Sequence, residues 1–209
     1  MRAFSVQGAE LQLGLAEVPG ELAAAVEELG FERMGMVWAR RFPAGAPYAA
    51  EAAARFEECA AQMVHQAARI DKAPWRAALE EVLARAPADG WFLAGSAALA
   101  VRGVAVEPRD VDLVALDGEQ CARLAQVLED LLVEPLVDGG KLGGRWFRAF
   151  ARARIDCVGG PHPVHDEPQP SDFGPFAAAR LTTVHWRGWD LHVPPLELQL
   201  ASRQRRGLM

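Results

Sequence analysis

Three carboxylates and a Gly-Ser pair are the residues of this sequence whose types and spacing suit chemistry. In "DVDLVAL", Asp110 and Asp112 are separated by one valine. Alternate residues of a strand share a face, so both carboxylates point one way while Val111 and Leu113 point the other. Two such charges repel unless a cation lies between them. A hard divalent ion, held by one or two carboxylates plus phosphate oxygens, is the natural remedy. A bare Asp-x-Asp is equally what a solvated edge strand carries, so the pair needs company. Asp156, in "ARARIDCV", is a third acid on a second strand, with Ala153, Ile155 and Cys157 on its other face. If the two strands are neighbours, three carboxylates converge, the ligand count of a two-metal site with ions about 3.5–4 Å apart. Upstream, the apolar "WFLA" runs into Gly95-Ser96 at the start of a short helix. Backbone N–H groups and a hydroxyl at such a turn form an anion site, and glycine lets phosphate approach the backbone. Ser96 alone would serve equally well as an ordinary N-cap.

Taken in order, "AGSAALAVRGVAVEPRDVDLVAL" and "RIDCV" resemble the nucleotidyltransferase superfamily typified by DNA polymerase beta. The closest flavour is that of small bacterial nucleotidyltransferases, among them antibiotic-modifying and abortive-infection-type enzymes. The resemblance spans roughly Trp75 to Leu200. It implies a mixed sheet flanked by helices. It further implies that Gly95 and Ser96 hold nucleotide phosphates and that Asp110 and Asp112 ligate Mg²⁺ or Mn²⁺. Asp156 is then the third ligand or the base that deprotonates an acceptor hydroxyl. The expected reaction moves a nucleoside monophosphate from an NTP such as ATP to a hydroxyl and releases pyrophosphate. A small hydroxylated acceptor is favoured; tRNA or protein, as for a toxin, and a catalytically silent nucleotide-binding module are the alternatives. The final segment "LELQLASRQRRGLM" lacks the lysine that the family's last helix often carries; either an acceptor-side element is missing, or Arg203, Arg205 and Arg206 do its work.

The elements that must position these residues are interleaved strands and helices, an α/β (α+β) pattern. Residues 73–209 read as the nucleotidyltransferase-like domain and residues 1–72 as a small α/β appendage of unknown role. In the appendage, "PGELAAAVEELG" is a short helix closed by Gly30, and "FERMGMVWARRF" is strand-like with Met34, Met36 and Trp38 in phase. Phe56, Ala60, Met63, Ala67 and Ile70 then form one helical stripe. Further on, a helix carries Trp75, Leu79, Val82 and Leu83, and another turns Cys121, Leu124, Val127, Leu128 and Leu131 inward. "RWFRAFARARIDCVGG" is extended and alternating, "PHPVHDEPQPSDFGP" is a long loop, and "RLTTVHWRG" with "WDLHV" forms a hairpin before the last helix.

Other residues invite two readings each. Arg148, Arg152 and Arg154 share the face of Asp156 if one strand is unbroken. They are then either a solvated charged face or contacts to triphosphate or acceptor, and Arg154 is assigned to the nucleotide. His162, His165, Asp166 and Glu167 lack the helical spacing of a zinc motif, so a loop beside the active site is expected there. Lys141, in "DGGKLGG", is a phosphate candidate on a loop. Trp186 and Trp189 are packing residues or base-stacking ones. Cys157 has the wrong parity to join Asp156 and belongs in the core.

Composition limits the function classes. The 209 residues are 51% hydrophobic and 24% charged, as expected of a globular chain with a real core. A net charge of −6 disfavours wrapping a long nucleic acid. Three isolated cysteines offer no disulfide framework, and no run reaches the ~18 apolar residues of a membrane span, so a cytoplasmic protein is expected.

Overall fold

The computed structural model describes residues 1–139 and 144–207. It has an α+β fold built on two main sheets. The first strands, β1 (Arg2–Gln7), β2 (Glu10–Ala16), β3 (Glu32–Met34) and β4 (Val37–Pro43), make an antiparallel sheet in the order β1-β2-β4-β3. Helix α1 (Ala23–Glu28) sits between β2 and β3, and Gly30 ends it with φ +89°. "FERMGMVWARRF" is a hairpin, not one strand: Gly35 has φ +66° and reverses the chain, leaving Met36 95% exposed. Helix α2 (Ala49–Ala67) buries Phe56, Ala60 and Met63 as its spacing demands. It stops before Ile70, which lies exposed beyond the helix end.

The second sheet holds the site. After α3 (Trp75–Arg85) come β5 (Trp91–Ala94), α4 (Gly95–Val101), β6 (Asp110–Ala115) and α5 (Gly118–Val127). Val127 faces out, because α5 gives way there to a 3-10 turn at Glu129–Leu131. Then follow β7 (Leu132–Asp138), β8 (Arg145–Ala151) and β9 (Ala153–Gly159), in the sheet order β5-β6-β9-β8-β7. The long extended segment is thus two strands, not one. Arg152 (φ +67°) stands at the turn, and Ala151 pairs with Ala153 across it.

The two faces of this sheet are dressed differently. Val111, Leu113, Phe147, Ala149, Ile155 and Cys157 bury one face completely under α3 and α5. Each large side chain so buried contributes about 1.5–3 kcal/mol. The other face is divided. Phe150, Val133 and Trp146 lie under the N-terminal sheet and α2. Phe92, Ala94, Val114 and Val158 lie under Phe173, Ala178 and Leu181. Between these two apolar patches runs a polar strip, which holds the carboxylates. Helix α6 (Pro175–Ala178), the hairpin β10 (Thr182–Trp186) and β11 (Trp189–Val193), and α7 (Leu196–Arg205) complete the chain. Among the described residues no helix is long and apolar enough to cross a membrane.

Candidate active site

Strands β6 and β9 are parallel neighbours with Asp112 opposite Asp156 and Asp110 opposite Arg154. On the far side of β9, Arg148 of β8 stands opposite Asp156, and Glu134 of β7 stands opposite Arg148. Ala94 of β5 pairs with Asp112. One cross-strand row therefore reads Ala94, Asp112, Asp156, Arg148, Glu134. Adjacent side chains in such a row have their Cβ atoms about 5 Å apart, so their charges act on one another directly. Ligand oxygens of Asp110, Asp112 and Asp156 lie within 4.8 Å of one another. The two strands are neighbours, and the three acids meet.

Two arginines answer this charge. Arg148 Nε donates to Asp156 Oδ1 at 2.6 Å, and its Nη1 donates to Glu134 Oε1 (2.7 Å) and to the Leu29 carbonyl (2.9 Å). Arg154 bonds Asp110 and reaches Asp156 Oδ2 with its Nε at 3.3 Å. Burial works to raise the pKa of Asp156, but Arg148 and Arg154 outweigh it and hold the carboxyl below its usual range. Asp112 is the opposite case. Burial, then Asp110 and Asp156, push its pKa well above the usual value. It is the acid whose charge the protein compensates least. Clustered oxygens with one under-compensated member fit a divalent cation, with Asp110, Asp112 and Asp156 as its ligands.

Gly95 serves this acid directly. It opens α4 with φ +61°, and a Cβ there would run into the Asp112 carboxylate. Ser96 is not a cap, since the cap position falls on Ala94 and no side chain bonds there. Gly95, Ser96, Asp110 and Asp112 line a cleft of about 680 Å³, around which Arg69, Lys72, Arg109, Arg203 and Arg206 gather. Arg109 also pairs with Glu28 at 3.0 Å. Arg69 and Lys72 had no role in sequence terms. A signal was present, because Lys72 is one of only two lysines in the chain. Lys141 lies outside the described residues.

A second cavity of about 470 Å³ has Asp112 and Asp156 at its floor and the loop from Gly160 to Phe173 as its wall. The loop expected beside the site is therefore there. Its histidines do not form a metal set: His162 Nδ1 accepts from the Val164 amide, and Asp166 accepts from the Ser171 and Phe176 amides, closing the loop on itself. Asp172, which sequence reasoning missed, is fully buried in this wall. Arg206 bonds its Oδ1 at 2.9 Å, and its own amide donates to Ser202 Oγ. Burial raises its pKa, with Arg206 acting against the rise.

Several expected contacts fall elsewhere. Arg154 sits inside the acid cluster and does not line the cationic cleft. Arg148 fixes Asp156. Arg152 is exposed at the β8–β9 turn, where its carbonyl accepts from Gln66. Trp186 stacks on Trp75 at 6.0 Å, a packing contact. Cys157 is buried 3.9 Å from Cys121.

No family model matches this sequence, and no curated protein matches it. A solved structure does match: a Thermotoga maritima protein assigned by inference as a nucleotidyltransferase. The two share 17% identity and a TM-score of 0.50 over 62% of this chain and 83% of that one. At that identity the match establishes a nucleotidyltransferase-like fold. The acidic cluster, compatible with a metal site, is this chain's own.

Proposed function

We propose that this protein transfers a nucleoside monophosphate from an NTP to a hydroxyl of a small acceptor. The observation that carries the reading is the junction of three carboxylates with a cleft lined by five cations against Asp71 and Glu107. A triphosphate needs that combination, since its charge must be met along its length by arginine and lysine and at the reacting phosphorus by metal. When bound by Asp110, Asp112 and Asp156, Mg²⁺ or Mn²⁺ supplies electrostatic stabilisation for charge spreading over the phosphoryl oxygens. The chain's own residues do the rest. Arg69, Lys72, Arg203 and Arg206 hold the phosphates, with Gly95 and Ser96 at the cleft floor. The loop cavity continues from that cleft through the shared Asp112 and Arg206, giving the nucleoside its place. Asp156, kept ionised by Arg148 and Arg154, receives the acceptor's proton. The attacking oxygen forms a bond to Pα, and pyrophosphate leaves with the electron pair of the broken bond.

One observation favours a second reading. Arg154 gives Asp110 and Asp156 a cation of the protein's own, which suits a silent module that binds nucleotide without turnover. Incubation with each α-labelled NTP, Mg²⁺ or Mn²⁺, and separately tRNA or pooled small hydroxylated compounds decides. Label on a small molecule supports the transferase, and label on tRNA alone replaces its acceptor. Nucleotide binding without any labelled product supports the silent module.

A further inference from the structure

A third cleft touches the acid cluster, and nothing in the reaction above uses it. It measures about 840 Å³ and lies between the N-terminal sheet and β8–β9, with Asp156 in its wall. The nucleotide clefts share Asp112 and Arg206 with each other, whereas this cleft meets the loop cavity only at Asp156 and Val158 and shares no residue with the cationic cleft. It therefore opens onto the cluster from another side. We propose that this cleft is the acceptor site, and that it takes a neutral or zwitterionic polyhydroxylated small molecule. The proposal rests on the nucleotidyl-transfer reading and gives the N-terminal sheet a task in it.

Placement is the first argument. An in-line displacement needs the attacking oxygen on the side of the phosphorus away from the leaving pyrophosphate. Asp156 is the one cluster acid in this cleft, so a hydroxyl delivered there meets the residue assigned to take its proton. The new bond runs from that oxygen to Pα, the bond to pyrophosphate breaks, and the proton goes to Asp156.

Rigidity is the second. Arg40 of β4 donates to the Leu29 carbonyl at 2.6 Å and pairs with Glu134 at 3.2 Å. Glu134 in turn holds Arg148, and Arg148 holds Asp156. One chain of bonds, buried at Glu134 and Arg148, thus sets the N-terminal wall relative to the reacting carboxylate. A misplacement of about 1 Å costs on the order of 10²-fold in rate, so an acceptor site gains from such a link.

The lining gives the chemical class. Glu28, Glu32 and Asp156 are balanced by Arg40, Arg41 and Arg148, whereas the nucleotide cleft, its metal-site acids Asp110 and Asp112 apart, sets five cations against Asp71 and Glu107. A balanced lining gives a polyanion such as RNA nothing to grip. Planar carboxylates and guanidinium groups do bind paired hydroxyls through two bonds at once. The partly exposed Trp146, with Arg40 at 4.8 Å from its ring, adds a flat wall for a compact ring or chain.

The test plugs the cleft. Cys59, Cys121 and Cys157 are all buried, so a bulky maleimide will label a thiol introduced by Met34→Cys, at a 40%-exposed position in the cleft wall. The same label on Met36→Cys, outside the cleft, is the control. Transfer from α-labelled NTP to a pool of simple sugars, sugar alcohols and amino sugars is measured alongside the Tm rise with Mn²⁺ and a nonhydrolysable ATP analogue. We expect the Met34 label to cut transfer by about 10²-fold while the Tm rise and the Met36-labelled protein stay as wild type. Undiminished transfer by the plugged protein overturns the site. Label on RNA and on no sugar overturns the acceptor class, whereas no labelled product at all while the analogue still raises Tm defeats the transfer reading and the acceptor site with it. An unmodified protein that ignores Mn²⁺ and the analogue defeats the underlying reading as well.

Discussion

Gly95 and Asp112 are fitted to each other across the start of α4: the side chain that Gly95 lacks would occupy the space of the Asp112 carboxylate. The glycine also holds φ +61°, a region that other residues enter at a cost. Close approach to an acid, rather than to a phosphate alone, is what this position demands.

Gly95→Ala should therefore act on the metal site before it acts on the fold. The new methyl displaces Asp112, and catalysis should fall by about 10²-fold, the loss that a shift near 1 Å brings. Strain at positive φ adds about 1–2 kcal/mol of destabilisation. Turnover and urea unfolding, measured together, check both. A variant with wild-type Mn²⁺ affinity and turnover would contradict the fit.

Asp112→Asn should stabilise the metal-free protein and abolish its response to metal. Burial and the neighbouring acids raise the pKa of Asp112. Its contribution to stability is thus fully present below the ordinary carboxylate pKa, about 4, and is lost as pH rises through the raised value. The amide mimics the neutral acid. Its advantage should be absent near pH 4 and grow towards neutrality. A gain on the order of 1 kcal/mol would appear as about 2–4 °C in Tm. With Mn²⁺ added the order should reverse, because only the wild type gains from binding.

Arg148→Met should be destabilising, by up to about 3–5 kcal/mol, because it leaves buried Glu134 to Arg40 alone and Asp156 to Arg154 alone. Adding Glu134→Leu should restore part of that loss, while turnover stays low because Arg148 no longer holds Asp156. Denaturant melts of the two variants measure the coupling. Stability that does not recover in the double variant would show that Glu134 is not the stranded charge.

Lys72→Ala should weaken nucleotide binding and leave Tm within about 1 °C, as an exposed substitution usually does. The effect should shrink in high salt, because cleft cations are screened over a Debye length of about 8 Å at physiological ionic strength. Titration with a nonhydrolysable NTP at two salt concentrations measures it. Unchanged affinity would remove Lys72 from the phosphate contacts.

The carboxylates could be read from sequence because strand parity is local: one valine between Asp110 and Asp112, and apolar neighbours around Asp156. The turn at Arg152 could not. Trp146, Arg148, Phe150, Arg154 and Asp156 all face one side of the sheet, and the turn preserves that alternation through both strands. A period of two sees no break there. β7 was hidden for a related reason, since five consecutive buried residues, Glu134 among them, and register shifts erase alternation. Arg69, Lys72 and Asp172 acquire their meaning only from distant neighbours. Asp172, for instance, meets Arg206 across 34 residues of chain.

The row Asp112, Asp156, Arg148, Glu134 also makes a statement about descent. Glu134 touches no substrate in this scheme, and its tasks are to hold Arg148 for Asp156 and to tie Arg40 to that pair. Inheritance should therefore bind Glu134 to Arg148 more tightly than to any neighbour in sequence. A lineage that discards Asp156 should be free to trade both for apolar residues in a single step. Aligned relatives, once gathered, should show these positions changing together or not at all, and the N-terminal Arg40 following them.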